Sequence, residues 1–166
     1  MLILLEGAVL CLVFTALIVP FTLKNPAASI GDYPPAIRKR CAELGVFPAR
    51  SRHFTKKDLL RKGATALIFA LIAAVVLRQL NGAEGFWEGF RDSYLIWLIV
   101  DWYDALVLDC LWFCHCKAVC IPGTEEMAEY RDYRFHLRQS CIGMLLGLPV
   151  CAAVGALVAL LETILP

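Results

Sequence analysis

The sequence predicts an all-α, polytopic membrane protein of four transmembrane helices with a basic cytoplasmic loop. Three observations predict it. Of the 166 residues, 60% are hydrophobic and only 19% are charged, whereas a soluble domain is nearer half apolar and about a quarter charged. The apolar residues gather into four long runs. The charges are segregated: ten of the sixteen Lys and Arg lie between Lys24 and Lys62. Nothing in this pattern points to nucleic acid.

About 20 apolar residues cross a hydrocarbon core, and in lipid a helix satisfies its own backbone over such a run. The four runs are Leu2–Leu23, Leu59–Leu80, Phe86–Cys116 and Cys141–Leu165. The first is read as a retained span, because Glu6 replaces a basic leader segment and no small-residue cleavage site follows. Segment 24–58 is strongly basic, 117–140 holds the four cations Lys117, Arg131, Arg134 and Arg138, and 81–90 contains no Lys or Arg. The positive-inside rule puts segments 24–58 and 117–140 in the cytoplasm and both termini outside.

Local signals refine the loops. Pro35 and Gly45 frame a short helix, with Ile37, Cys41 and Leu44 on one face and Arg38, Lys39 and Arg40 beside it. Its expected place is the anionic inner leaflet. Thr55 and Asp58 form a capping box for the second span. Gly123-Thr124-Glu125-Glu126 reads as the start of a cytoplasmic helix leading toward the fourth span. That span holds Pro149, expected to kink it, and a ridge of small residues: Gly143, Gly147, Cys151, Gly155 and Ala159. Ala66, Ala70 and Ala74 repeat the spacing in the second span, and Gly7, Cys11 and Thr15 in the first. Such ridges admit another helix closely. The expected partners are the bilayer, a second copy docked on the Gly143/Gly147/Cys151/Gly155 ridge, or another membrane protein.

The third span carries the unusual chemistry. Asp101, Asp104 and Asp109 lie in it, and each mid-bilayer carboxylate costs at least ~2.5–3.5 kcal/mol. At about 100° per residue, Tyr94, Trp97, Asp101, Asp104, Leu108, Trp112 and His115 share a face, with Asp109 at its margin. Two carboxylates held close in low dielectric repel, so a shared proton or an intervening cation suits the Asp101/Asp104 pair. Asp109 and His115 extend the expected path. The alternative is structural, with the aspartates bonded to Trp and Tyr or paired with Arg78.

Three further groups are candidates. Glu6, Arg78, Asp92 and Glu162 come near one end of the spans as an outer polar cluster, either a network of ion pairs or a cation vestibule. Arg134, His136 and Arg138 suit a lipid head group or another phosphate. Cys110, Cys114, His115, Cys116 and Cys120 offer soft ligands, but their spacing fits no zinc motif. The eight cysteines are expected to be reduced packing residues.

The segments Tyr33-Pro-Pro-Ala-Ile-Arg38, Asp101-Trp-Tyr-Asp104-Ala-Leu-Val-Leu-Asp109 and Ile121-Pro-Gly-Thr-Glu125 resemble a group of small bacterial integral membrane proteins. The resemblance covers most of the chain and implies a bacterial inner-membrane location; it adds no mechanism. The aspartate segment lacks the glycines and arginine of CDP-alcohol phosphotransferases and the second acidic motif of prenyl transferases. No nucleophile elbow, HExxH or P-loop occurs. The preferred expectation is proton- or cation-coupled transport through the intramembrane carboxylates. An intramembrane enzyme acting on a lipid or isoprenoid is the alternative, as is a non-catalytic subunit or assembly factor. No cofactor or metal is identified by these residues.

Overall fold

In a computed structural model the chain is described over residues 2–46 and 55–164. Every regular element among them is helical. Helix α1 is Leu2–Lys24, α2 is Pro35–Glu43, α3 is Lys56–Leu80, α4 is Gly85–Tyr103 and α5 is Tyr133–Ile164. A 3₁₀ segment, Pro26–Asp32, precedes α2, and a π-helical segment, Asp104–Trp112, follows α4. Short 3₁₀ turns fill much of 113–131. Arg50 and Arg52 of the basic loop, and Leu165 at the expected end of the fourth span, lie outside the described residues.

Three helices, α1, α3 and α5, are long and apolar enough to cross a membrane. Leu4, Leu12 and Leu17 of α1 and Leu60, Leu67 and Phe69 of α3 stand exposed, the arrangement that lipid rather than water rewards. The chain is thus suited to membrane association. The Phe86–Cys116 run is helical over most of its length, but Glu88, Arg91, Asp92 and Asp101 in α4 set it apart in composition from the other three. At ~1.5 Å per residue, the 32 residues of α5 extend about 48 Å, well past a ~30 Å hydrocarbon core.

Two compact units arise. One comprises residues 2–8, 55–100 and 142–164. Its core is Ala70, Ala74 and Leu77 of α3 with Val154 and Val158 of α5, joined by Ile3 and Ile96. Ala66, the third member of the α3 ridge, is exposed. The small-residue ridge of α5 is already occupied within this unit. A Cβ on Gly155 would stand 2.6 Å from the Phe86 carbonyl oxygen, and one on Gly147 would stand 2.5–2.7 Å from the Trp97 indole. Trp97 Nε1 donates to Gly143 O at 3.1 Å, and Cys151 is buried. The ridge is therefore no free seat for a second copy; α4 fills it. Gly7 likewise lies against Ile99.

The other unit comprises 9–46 and 101–141. Tyr33, Ile37 and Cys41 are fully buried against Phe113, Cys114, Val119, Ile121 and Tyr130. The apolar face of α2 thus packs on its own chain, which corrects the expectation that it lies on the leaflet. Leu44 stands apart at 41% exposed. Pro35 opens α2, and Gly45 follows it at φ 70°, where glycine carries no Cβ penalty.

The expected helix at Thr124 is absent. Thr124 Oγ1 donates back to Ile121 O at 2.7 Å and meets Tyr130 Oη, so it caps no forward amide. Glu125 Oε2 takes the Gly123 amide instead, at 2.8 Å. Asp132, just before α5, caps that helix instead: its Oδ1 accepts from Phe135 N at 3.0 Å.

The capping box at Thr55 and Asp58 is formed, each side chain taking the other's amide. Thr55→Ala is expected to cost about 1 kcal/mol, read as a lowered denaturation midpoint in detergent. An unchanged midpoint would show that α3 draws its start from packing alone.

Candidate functional site

The site begins with a change of helical period. Tyr103 keeps α-helical dihedrals, φ −62° and ψ −45°, and the chain then enters the π-helical segment. At α pitch, residues five apart point about 140° from one another. In i→i+5 pairing they stand one turn apart on the same face. Asp109, marginal in the sequence reading, thereby joins Asp104.

Helix α5 supplies the partners. His136, Gln139 and Ser140 are three and four residues apart, so they share a face. Ser140 Oγ donates to Asp101 Oδ2 at 2.5 Å. His136 Nδ1 lies 2.9 Å from Asp109 Oδ2. In this pair the imidazole Nδ1–H donates and the carboxylate oxygen accepts. His136 is 3% exposed, and Nε2 is buried with no hydrogen-bond partner among the described residues. Phe113 and Phe135 stand edge-on to the ring at 5.4 and 5.2 Å. These contacts leave the imidazole little freedom. Asp104 makes no hydrogen bond or ion pair with any described residue.

Two cavities meet this face. The smaller, about 110 Å³, is bounded by Asp101, Asp104, Asp109, His136, Gln139 and Ser140. The larger, about 310 Å³, adds Asp32, Thr22 and Tyr33 to Asp104, Asp109 and His136. Its apolar wall includes Phe14, Ile18, Leu108, Trp112 and Phe135. Asp32 is exposed at this lining; the partial desolvation of its carboxyl, and then the charge of Asp109, raise its pKa. Tyr33 Oη donates to Val119 O at 2.8 Å, and burial holds the phenol protonated.

Of the expected site residues, Asp101, Asp104 and Asp109 come together here. His115 does not. It is exposed, with Nε2 2.9 Å from Tyr133 Oη, because the π turn and the 3₁₀ turn after it carry it off the aspartate face. His136 takes the place expected of His115. The same placement dissolves the expected phosphate clamp: Arg134 and Arg138 are exposed while His136 is buried, since residues two apart on a helix face different ways.

The outer polar cluster also resolves into separate pairs rather than a network around Arg78. Arg78 Nη1 lies 3.9 Å from Glu84 Oε1 and 3.5 Å from Ala83 O. Glu6 Oε2 accepts from Asn81 at 2.9 Å, Asp92 pairs with Arg91 at 2.8 Å, and Glu162 Oε2 accepts the Gly85 amide at 2.7 Å.

Among the described residues, no group of three or more His, Cys, Asp or Glu is arranged to hold a metal ion. The eight cysteines stand as free thiols. Burial pushes the thiols of Cys41 and Cys120 up, which disfavours the thiolate that metals need.

No family model, curated protein or solved structure matches this chain. Its chemistry must therefore be read from the site. Sequence reasoning missed Asp32, Gln139 and Ser140 there, and the true position of His136. A signal for each existed. Asp32 is an acid in a loop rich in bases, and His136, Gln139 and Ser140 form a polar face opening an otherwise apolar helix.

Proposed function

We propose that the chain is an integral membrane protein of four transmembrane helices that moves a proton or a cation through its carboxylate site. In this reading the π-bearing helix is the third of the four spans, segments 24–58 and 117–140 face the cytoplasm, and both termini lie outside a bacterial inner membrane. Asp104 and Asp109 bind the ion, Asp101 flanks them, and His136 passes protons to and from Asp109.

The observation that carries the reading is a buried imidazole bonded to a carboxylate, with its second nitrogen unpartnered, beside a second carboxylate without a partner. Leaving the buried ring nitrogen so costs about 1–3 kcal/mol. Ionisable groups set in apolar helices commonly mark ion and proton paths. A π segment at a functional position fits the same reading.

An intramembrane enzyme is the second reading, since a carboxylate-oriented histidine is also a general base. Exposure of Arg134 and Arg138 weighs against it by removing the proposed head-group clamp.

The test is ion flux in proteoliposomes across a range of pH, with wild type beside Asp104→Asn. Flux is expected to fall to the level of protein-free liposomes in the variant. Equal flux in both would end the transport reading. Unaltered flux together with hydrolysis or transfer on a lipid would favour the enzyme.

A further inference from the structure

We infer that the exposed face of α5 around Arg134 and Arg138 docks one anionic phospholipid, its phosphate on the two arginines and an acyl chain along Ile142 and Leu145. The inference rests on α5 as a membrane span and not on the movement of an ion.

Three properties of this face point the same way. The first is charge. Arg134 and Arg138 are one turn apart in α5 and both exposed, so their side chains are neighbours, about 5–6 Å apart at Cβ. Neither makes an ion pair or a side-chain hydrogen bond with any described residue. No Asp or Glu occupies the neighbouring-turn positions of either, Tyr130, Arg131, Phe135, Leu137, Cys141 and Ile142. Like charges at this spacing destabilise a helix, and no described residue relieves them. An external anion would, and a phosphate accepts a guanidinium fork readily.

The second property is what adjoins the arginines. At about 100° per residue, Cys141, Ile142, Leu145 and Leu148 fall on the same face of α5, and all are exposed. The cations thus give way directly to an apolar track, the order of a head group and its acyl chain. The third property is depth. Helix α5 is about 48 Å long against a ~30 Å core, so about 18 Å of it projects. Between Tyr133 and Ser140 it holds Arg134, His136 and Arg138, whereas from Cys141 to Ile164 its one charged residue is Glu162. The projecting turns are therefore those of the two arginines, which stand at head-group level. His136 is buried on the far side of α5, so a lipid held here is out of reach of that residue.

The experiment is native mass spectrometry of the full chain, released from a neutral detergent doped in turn with phosphatidylglycerol and phosphatidylcholine of the same acyl chains. Retention of phosphatidylglycerol at least about ten-fold above phosphatidylcholine is expected, since each basic residue at a membrane surface favours anionic lipid by about five-fold. Arg134→Gln combined with Arg138→Gln is expected to bring the two lipids level. Arg38→Gln combined with Lys39→Gln removes the same charge from the exposed face of α2 and is expected to leave the ratio unchanged. The readout is a ratio of two lipids on one preparation, so it does not hang on a variant's stability.

Equal retention of the two lipids by the native chain, an unchanged ratio in the α5 variant, or an equal loss in the α2 variant would each overturn the inference. So would displacement of phosphatidylglycerol by millimolar inorganic phosphate, which would make the arginines a site for a free anion. Retention of neither lipid would remove the span together with the site. Ion flux in a protein without lipid preference would overturn the inference and leave the transport reading intact. Lipid preference without flux of any ion would uphold the site and remove the transport reading.

Discussion

Asp109→Asn is expected to reduce ion flux to the protein-free background while the helices remain folded. The side chain holds His136 Nδ1 at 2.9 Å, and the imidazole is 3% exposed. Asparagine fills the same space, but its amide can donate as well as accept. It no longer dictates which imidazole nitrogen carries the proton, and it cannot bear the negative charge that stabilises an imidazolium. The loss is therefore one of proton handling. Asp109→Leu removes the partner outright and leaves a buried N–H unpaired, at a cost of about 1–3 kcal/mol. Flux in proteoliposomes and thermal denaturation of the same preparations separate the two effects. Native flux in Asp109→Asn would reduce the pair to a packing contact.

Gly155→Ala should be among the most destabilising single-methyl additions in the chain. The new carbon would stand 2.6 Å from the Phe86 carbonyl oxygen, 3.0 Å from Phe90 N and 3.1 Å from Phe90 Cβ. The first two obstacles are backbone of α4 and cannot rotate aside. Gly89, on that same stretch of α4, has Gly155 Cα 3.1 Å from where its own Cβ would be, so two glycines face each other across the contact. Separating the helices forfeits the Val158 packing at Gly89, and overpacking of this kind costs about 1–3 kcal/mol. Gly63→Ala in α3 is the control. It meets nothing within 4 Å and, as a mid-helix change, should stabilise by about 0.5–1 kcal/mol. Chemical denaturation in mixed micelles gives both signs at once. A Gly155→Ala protein as stable as the parent would mean that α4 and α5 are not held at this distance.

The ridge shows why such a feature is only half legible. Its period of four identified Gly143, Gly147, Cys151 and Gly155 as a place where a helix comes close. It could not name the helix. A stripe of small residues is equally complementary to a neighbour in the same chain and to a second copy, and the choice depends on where α4 packs. The same limit met α2. Pro35 and Gly45 marked its ends because those signals act through a few adjacent dihedrals. Whether Ile37 and Cys41 would face lipid or Phe113 and Tyr130 depended on residues more than seventy positions away.

The amino-acid sequence by itself determined the helical class, the apolar helices, the capping box at Thr55 and the presence of costly carboxylates in one run. These follow from composition, short-range periodicity and nearest-neighbour backbone chemistry. Only the tertiary structure decided which polar groups meet. The wider π-helical turn at Asp104–Trp112 turned Asp109 toward the face of Asp104, against the regular pitch any sequence reading assumes. Packing of α5 then set His136, not His115, against it. Those choices are made by long-range contacts, whose partners leave no fixed spacing along the chain.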